Sequence, residues 1–335
     1  MTRALAALVA LPLLAGCGAF ASSESPARVS PTPTSEASSP DEPSAGTVTP
    51  FEPRVASVSV ARWRLRVAVG RQAVIPVGHA SVVMAGGLVT GGSSTDEAVR
   101  ISLPTGRAAR LPPLAVPVHD VAGGLLGQVP AVVGGGNATE EEVVQTLAGS
   151  AWRVSGHLPT PRSDLSVVQR GPRPWVIGGY DGASVPAEVL ALAADGSNRQ
   201  VGSLVHGVRY AATAVSGHTA YVFGGEVLGR ELGAVQAVDL ATGRTQVVAR
   251  LPVPLGHAVA ATLGGRILLI GGRVAPDRQT AAMWWFDPTT GRFSRAGRLP
   301  MALSDAGVAA YGHRVWLLGG EDPSVTAGVL TISVR

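Results

Sequence analysis

The feature that most constrains this chain is a glycine pair that closes an apolar run and then recurs. The pairs stand at Gly91-Gly92 after "LVT", Gly134-Gly135 after "AVV", Gly178-Gly179 after "WVI", Gly224-Gly225 after "YVF", Gly271-Gly272 after "LLI" and Gly319-Gly320 after "WLL". The intervals are 43, 44, 46, 47 and 48 residues. Units of this length with strand-like patterning cannot bury their apolar faces singly, so they must be stacked as an array.

Each unit has the same internal order. An apolar segment such as "AVAATL" meets a glycine turn, and a second segment follows that ends in the glycine pair. After a variable loop comes a third segment such as "AVQAVDL", then a tight turn with glycine at Gly106, Gly196, Gly243 or Gly291, and a fourth segment. The fourth segments close on Leu111-Pro112, Leu158-Pro159, Leu251-Pro252 and Leu299-Pro300. Glycine at those turns supplies the positive φ that tight hairpins need. Four short strands per unit predict one blade of a β-propeller, in which radial repetition leaves few open sheet edges. The expected fold is therefore all-β, a six-bladed propeller over residues 55–335.

On these glycine pairs and their spacing, the chain resembles the kelch-repeat family in all six units. Two family features are thin: a fourth-strand tryptophan is matched only by Trp152, and the tyrosine before the third-strand turn is mostly absent. WD-type repeats are the alternative, from Gly78-His79 and Gly256-His257, but the chain has no Trp-Asp dipeptide. Too few residues follow Gly320 for a complete last blade. The segment "VSVARWRLRVAV" alternates, with Trp63, Leu65, Val67 and Val69 on one side and Arg62, Arg64 and Arg66 on the other. It is expected to complete the last blade as its outer strand, with the arginines on a solvated edge.

The chain opens "MTRALAALVALPLLAGCGAF", a cation followed by an apolar run too short to span a bilayer. The small residues before Cys17 resemble the lipobox of bacterial lipoproteins. That resemblance implies a signal peptide over residues 1–16, a lipidated Cys17 and a protein anchored at the extracytoplasmic face of the cell membrane. Residues 17–54 are rich in Ser, Pro and Thr with little to bury, and read as a disordered tether. Cys17 is the only cysteine, which excludes an intramolecular disulfide and any cysteine chemistry in the folded part. The +4 formal charge is carried by arginine without lysine and without a basic block, so nucleic acid is not an expected partner.

In an up-and-down blade, the loop before the first strand and the loop after the glycine pair meet at one face. The first set supplies His79, His119, Asp120, Asp164, Arg209, Tyr210, His257 and Asp305; the second supplies Asn137, Tyr180, Asp181, Glu226, Arg273, Glu321 and Asp322. These residues form a candidate binding rim. Asp120, Asp164 and Asp305 are equally explained as caps on backbone amides at strand starts. No short-range ligand spacing points to a metal, and no cofactor is expected. Among propeller enzymes, the galactose-oxidase chemistry of the kelch type lacks its cysteine, and the Asp-box of sialidase propellers is absent. The exported sialic-acid epimerase type needs only acid and base groups, which Arg209, Glu226, His257 and Arg273 would supply. The favoured expectation is a non-catalytic module that binds an envelope protein or glycan. A sugar mutarotase or epimerase and a purely structural envelope component are the alternatives.

Overall fold

The computed structural model describes residues 54–335, so the signal, Cys17 and all of the tether before Arg54 lie outside the described residues. Six four-stranded antiparallel sheets follow one another along the chain, and no helix occurs among the described residues. The first blade comprises Ala73–Pro76, Ser81–Ala85, Ala98–Ser102 and Ala108–Arg110. The fifth comprises Val259–Leu263, Arg266–Ile270, Ala282–Asp287 and Arg292–Arg298. The innermost strands are neighbours around a central axis, and the sixth blade's packs against the first blade's. The fold is a six-bladed β-propeller.

Apolar side chains of adjacent blades form the core between them. Met283, Trp285 and Leu268 of the fifth blade pack with Val315, Leu317 and Ile332 of the sixth. Inner strands instead carry alanine, glycine and valine where they converge on the axis, as in Ala122–Leu126 ("AGGLL"). The second and third strands are the most buried, and the pairing of the third with the fourth is offset by a bulge in the second to fifth blades. The predicted turn glycines Gly106, Gly196, Gly243 and Gly291 all have positive φ.

The glycine pairs are a clasp between blades. In the fourth blade, Gly224 N donates to Ala234 O of the third strand, and Gly225 N donates to Leu255 O in the connection to the fifth blade, both at 2.9 Å. Both glycines have positive φ; a Cβ on Gly224 would collide with the Leu255 carbonyl, and one on Gly225 would lie 2.7 Å from Arg209 O. The second glycine repeats this bond in every blade, as Gly87 to Val118, Gly135 to Arg162, Gly179 to Val208, Gly272 to Leu303 and Gly320 to Val69.

That pattern corrects the first repeat. Its clasp is Gly86-Gly87, not Gly91-Gly92, because Gly86 N bonds Glu97 O and Gly87 N bonds Val118 O. Gly91 and Gly92 sit in the variable loop after the clasp, with open space around them. The N-terminal closure is also shifted. Val55–Val60 pairs antiparallel with Val329–Val334 as the outer strand of the sixth blade. Strand pairing stops there because the partner is only six residues long, and the chain must then travel inward to begin the first blade. On that crossing Leu65 N bonds Ala327 O, Leu65 and Val69 are buried, and Trp63 covers the Gly106 turn. Val67 does not share their side and is 43% exposed, while Arg62, Arg64 and Arg66 are in solvent.

Candidate functional site

Two residues before each innermost strand stands a residue in the left-handed region: Arg71 (φ 60), Asp120 (50), Asp164 (59), Tyr210 (53), His257 (56) and Asp305 (55). All six are non-glycine, so each carries local strain held by its surroundings. Their backbones form a ring. Asp164 N donates to Asp120 O, Tyr210 N to Asp164 O, His257 N to Tyr210 O, Asp305 N to His257 O and Arg71 N to Asp305 O, at 2.9 to 3.0 Å. The sixth link is made one residue later, by Val121 N to Arg71 O at 3.4 Å. The aspartates therefore belong to the ring itself rather than being simple strand caps.

A second tier follows the clasps. Bridges join His119 to Gly136, Ser163 to Tyr180, Arg209 to Glu226, Gly256 to Arg273 and Ser304 to Glu321. They bring Glu226, Arg273 and Glu321 onto the ring. Arg273 Nη2 donates to Asp305 Oδ2 at 2.7 Å and to Glu321 Oε2 at 2.6 Å. Arg71 reaches Glu321 at 2.6 Å and Asp120 at 3.1 Å, and lies 4.0 Å from Asp305. Arg209 Nε is 3.1 Å from Asp164, and its guanidinium lies over Tyr180 and Tyr210, 4.8 and 4.7 Å from the ring centres.

His257 joins the two tiers. Its Nδ1 is 2.7 Å from Asp305 Oδ1, its Nε2 is 3.3 Å from Glu226 Oε2, and its ring stacks on Tyr210 at 3.7 Å. Ionised carboxylates only accept hydrogen bonds, so both ring nitrogens must donate and the side chain is an imidazolium. Burial disfavours that charge, but Asp305 and Glu226 outweigh it and raise the His257 pKa. Glu226 is correspondingly lowered by its hydrogen bond from His257.

The ring carboxylates are not equivalent. Burial opposes ionisation of Asp305, yet His257, Arg71 and Arg273 prevail and hold it at about 2. Burial and the Asp120 charge instead push Asp164 up to about 7, which Arg209 does not offset. Burial, with Asp120 and Asp164, keeps the Tyr210 phenol protonated far beyond its ordinary range. For Arg71, burial disfavours the cation but Asp120 and Glu321 reverse the effect.

The ring lines a small channel cavity of about 120 Å³, and a larger one of about 370 Å³ runs along the inner strands. On the same face, between the third and fourth blades, lies an open groove of about 870 Å³ lined by Tyr180, Val185, Arg209, Glu226, Leu228 and Arg250. Leu228 tips the hairpin formed by Glu226–Val227 and Arg230–Glu231 and is 93% exposed.

Of the residues expected at the rim, ten lie on or beside the ring: Asp120, Asp164, Tyr210, His257, Asp305, Arg209, Glu226, Arg273, Glu321 and His119, the last 3.5 Å from Asp120. Tyr180 borders the groove. Asn137, Asp181 and Asp322 lie further out in the turns after the clasps, where Asp181 Oδ1 accepts from Ala183 N and Ser184 N. His79 is a correction. It lies in the hairpin between the first two strands of the first blade, at the opposite mouth, 4.6 Å from Tyr311. Its place in the ring belongs to Arg71. The signal for Arg71 was "VVMAGG", a second apolar run ending in a glycine pair upstream of "LVTGG". Among the described residues, no group of three or more His, Cys, Asp or Glu side chains is placed to hold a metal ion.

Four-stranded blades clasped by glycine pairs at the ends of their second strands make up the whole six-bladed propeller. A family model described as Kelch motif matches residues 254–300, one full blade unit from the connection before His257 to the end of the fifth blade. The first four blades repeat that unit's strand order, the sixth takes its outer strand from Val55–Val60, and all carry the clasp. No curated protein matches the chain.

Proposed function

We propose that this chain is a cell-envelope lipoprotein, held at the extracytoplasmic face of the membrane through Cys17, whose kelch-type propeller binds an envelope protein or glycan without catalysis. The kelch propeller is commonly a protein-interaction module, and the observation that carries the reading is a division of labour on one face. The ring's charges are taken up by one another, while the adjoining groove of about 870 Å³ stays open beside Tyr180, the part-exposed Arg209 and the 93% exposed Leu228. An aromatic ring, a planar cation and an apolar tip at the edge of a groove make a contact surface with anchor residues.

His257 is not placed for acid–base catalysis. Both of its nitrogens are engaged by carboxylates, so it has no free position at which to exchange a proton with a sugar. The anchor rests on the apolar run and the small residues before Cys17.

The test is photo-cross-linking in cells together with an envelope-glycan array, comparing wild type with Leu228→Asp/Tyr180→Ala. A partner or glycan captured by the wild type and lost from the still-folded variant supports the reading; equal capture by both would remove the groove from it. Cys17→Ala should abolish lipid labelling and membrane fractionation, and unchanged labelling would sink the anchor. Epimerisation of a sugar by the wild type, followed by NMR and lost in His257→Gln, would replace the binding reading with the enzyme reading.

A further inference from the structure

The mouth opposite the ring has a charge pattern that the binding reading does not use. Six hairpins join first to second strands there: residues 76–81, 126–129, 170–173, 216–219, 263–266 and 311–314. Together they contain Arg170, Arg173, Arg266 and Arg314, the histidines His79, His218 and His313, and no aspartate or glutamate. The carboxylates Asp120, Asp164, Glu226, Asp305 and Glu321 are gathered at the ring mouth instead. The third-to-fourth-strand turns at the same mouth add Arg107, Arg244 and Arg292 against Asp195, Asp239 and Asp287, so this mouth keeps an excess of arginine, whereas the ring carboxylates are paired with Arg71, Arg209 and Arg273.

Contacts link the second, third and fourth of these hairpins, and the sixth with the first. Gly127 N bonds Pro172 O at 3.1 Å, Arg170 Nε bonds Gly217 O at 3.2 Å, Arg170 Nη2 is 3.0 Å from His218 Nε2, and His79 meets Tyr311 edge to face. Arg173, His218, His313 and Arg314 are exposed, as are the apolar side chains of Val129 (38%) and Tyr311 (40%). Arg266 is partly engaged, 3.8 Å from Asp287. The first described residue is at this face: Arg54 and Arg335 exchange backbone bonds, and Val334 N donates to His313 O at 2.8 Å. The preceding 53 residues therefore join the propeller beside the basic hairpins.

We propose that this mouth docks on an anionic phospholipid surface, leaving the polar ring and the adjoining groove turned away from the bilayer. Arginines near a negatively charged membrane surface attract it electrostatically, and exposed Tyr311 and Val129 suit the headgroup boundary. Lipid is chosen over a soluble polyanion because the segment carrying Cys17 enters at this face. To that extent the inference rests on the anchored reading.

The test uses the full chain carrying Cys17→Ala, so that binding does not depend on acylation. Sedimentation with vesicles of equimolar phosphatidylglycerol and phosphatidylcholine should show binding, with little to phosphatidylcholine alone. Each arginine near the surface contributes about fivefold, so Arg173→Gln/Arg314→Gln should weaken binding about 25-fold. Arg230→Gln/Arg278→Gln, on the ring-side hairpins, should not change it. Raising salt from about 0.1 M to about 1 M should release the unaltered protein, a readout that needs no variant to fold. Equal binding to neutral vesicles, salt-insensitive binding, or equal losses from the two double variants would overturn the proposal. So would tighter binding to polyphosphate than to the anionic vesicles. Loss of lipid labelling is read separately on wild-type protein, so the anchor and the docking face fail independently.

Discussion

Asp305 and Asp164 share one ring, and their amide isosteres should move stability in opposite directions. Asp305 has a side chain 4% exposed and lies 2.7 Å from His257, 2.7 Å from Arg273 and 4.0 Å from Arg71. Its folded pKa of about 2 lies below the ordinary 3.8, so between those values the unfolded chain binds more protons. The stability it contributes is complete above about pH 4 and is lost as the pH falls towards 2. At about 1.4 kcal/mol per pH unit, the gap corresponds to about 2 kcal/mol. Asp305→Asn should lose that amount at neutral pH, and about 2–4 kcal/mol once three under-compensated cations are counted. Asp164 has the reverse sign. Its pKa is raised to about 7, so the folded state binds more protons between 3.8 and 7, and stability falls as the pH rises through that window. Asp164→Asn mimics the neutral acid and should be more stable than wild type at about pH 8, by at most about 4 kcal/mol. Urea denaturation of the three proteins from about pH 3 to 8 measures both effects. The electrostatic account of the ring is refuted if the two variants shift in the same direction at about pH 8.

Three further outcomes follow from the scaffold. Gly225→Ala places a Cβ 2.7 Å from Arg209 O at a φ of 96°, and should cost about 2–4 kcal/mol by thermal melting, whereas Gly92→Ala, with open space around it, carries only the strain of its φ of 79° and should cost less. Gln236 is 1% exposed, accepts from His206 N at 2.9 Å and donates to His206 O at 3.0 Å, so Gln236→Leu orphans both backbone groups and should lose about 2–4 kcal/mol in urea. Deleting residues 1–60 removes the outer strand of the sixth blade and bares the edge of Val329–Val334; it should lower the melting temperature and produce oligomers in sedimentation, and an unchanged monomer would refute the closure.

The strands and most of the blades were legible because their signals are local. Alternation, turn glycines and a glycine pair after an apolar run each lie within a few residues, and five of the six clasps stand where the sequence places them. The first clasp was obscured by "LVTGG", which imitates the pattern five residues after "VVMAGG". The first hairpin of that blade is also one residue longer than the "TLGGR" type, so Arg71 falls out of phase with the other ring positions. Displacing the blade start put His79 at the wrong mouth.

By itself the sequence determined an all-β array of six units, a chain closed by its own N-terminal part, and an N-terminal segment with the features of an export signal. Periodicity and turn chemistry act over short distances, so one chain suffices to read them. Which polar residues meet was decided only by the tertiary structure. His257, Asp305, Glu226 and Arg71 come from four different blades, separated by 31 to 234 residues, and meet only when the ring closes. The same closure sets the signs of their pKa shifts, since burial and neighbouring charge, rather than residue type, distinguish Asp164 from Asp305.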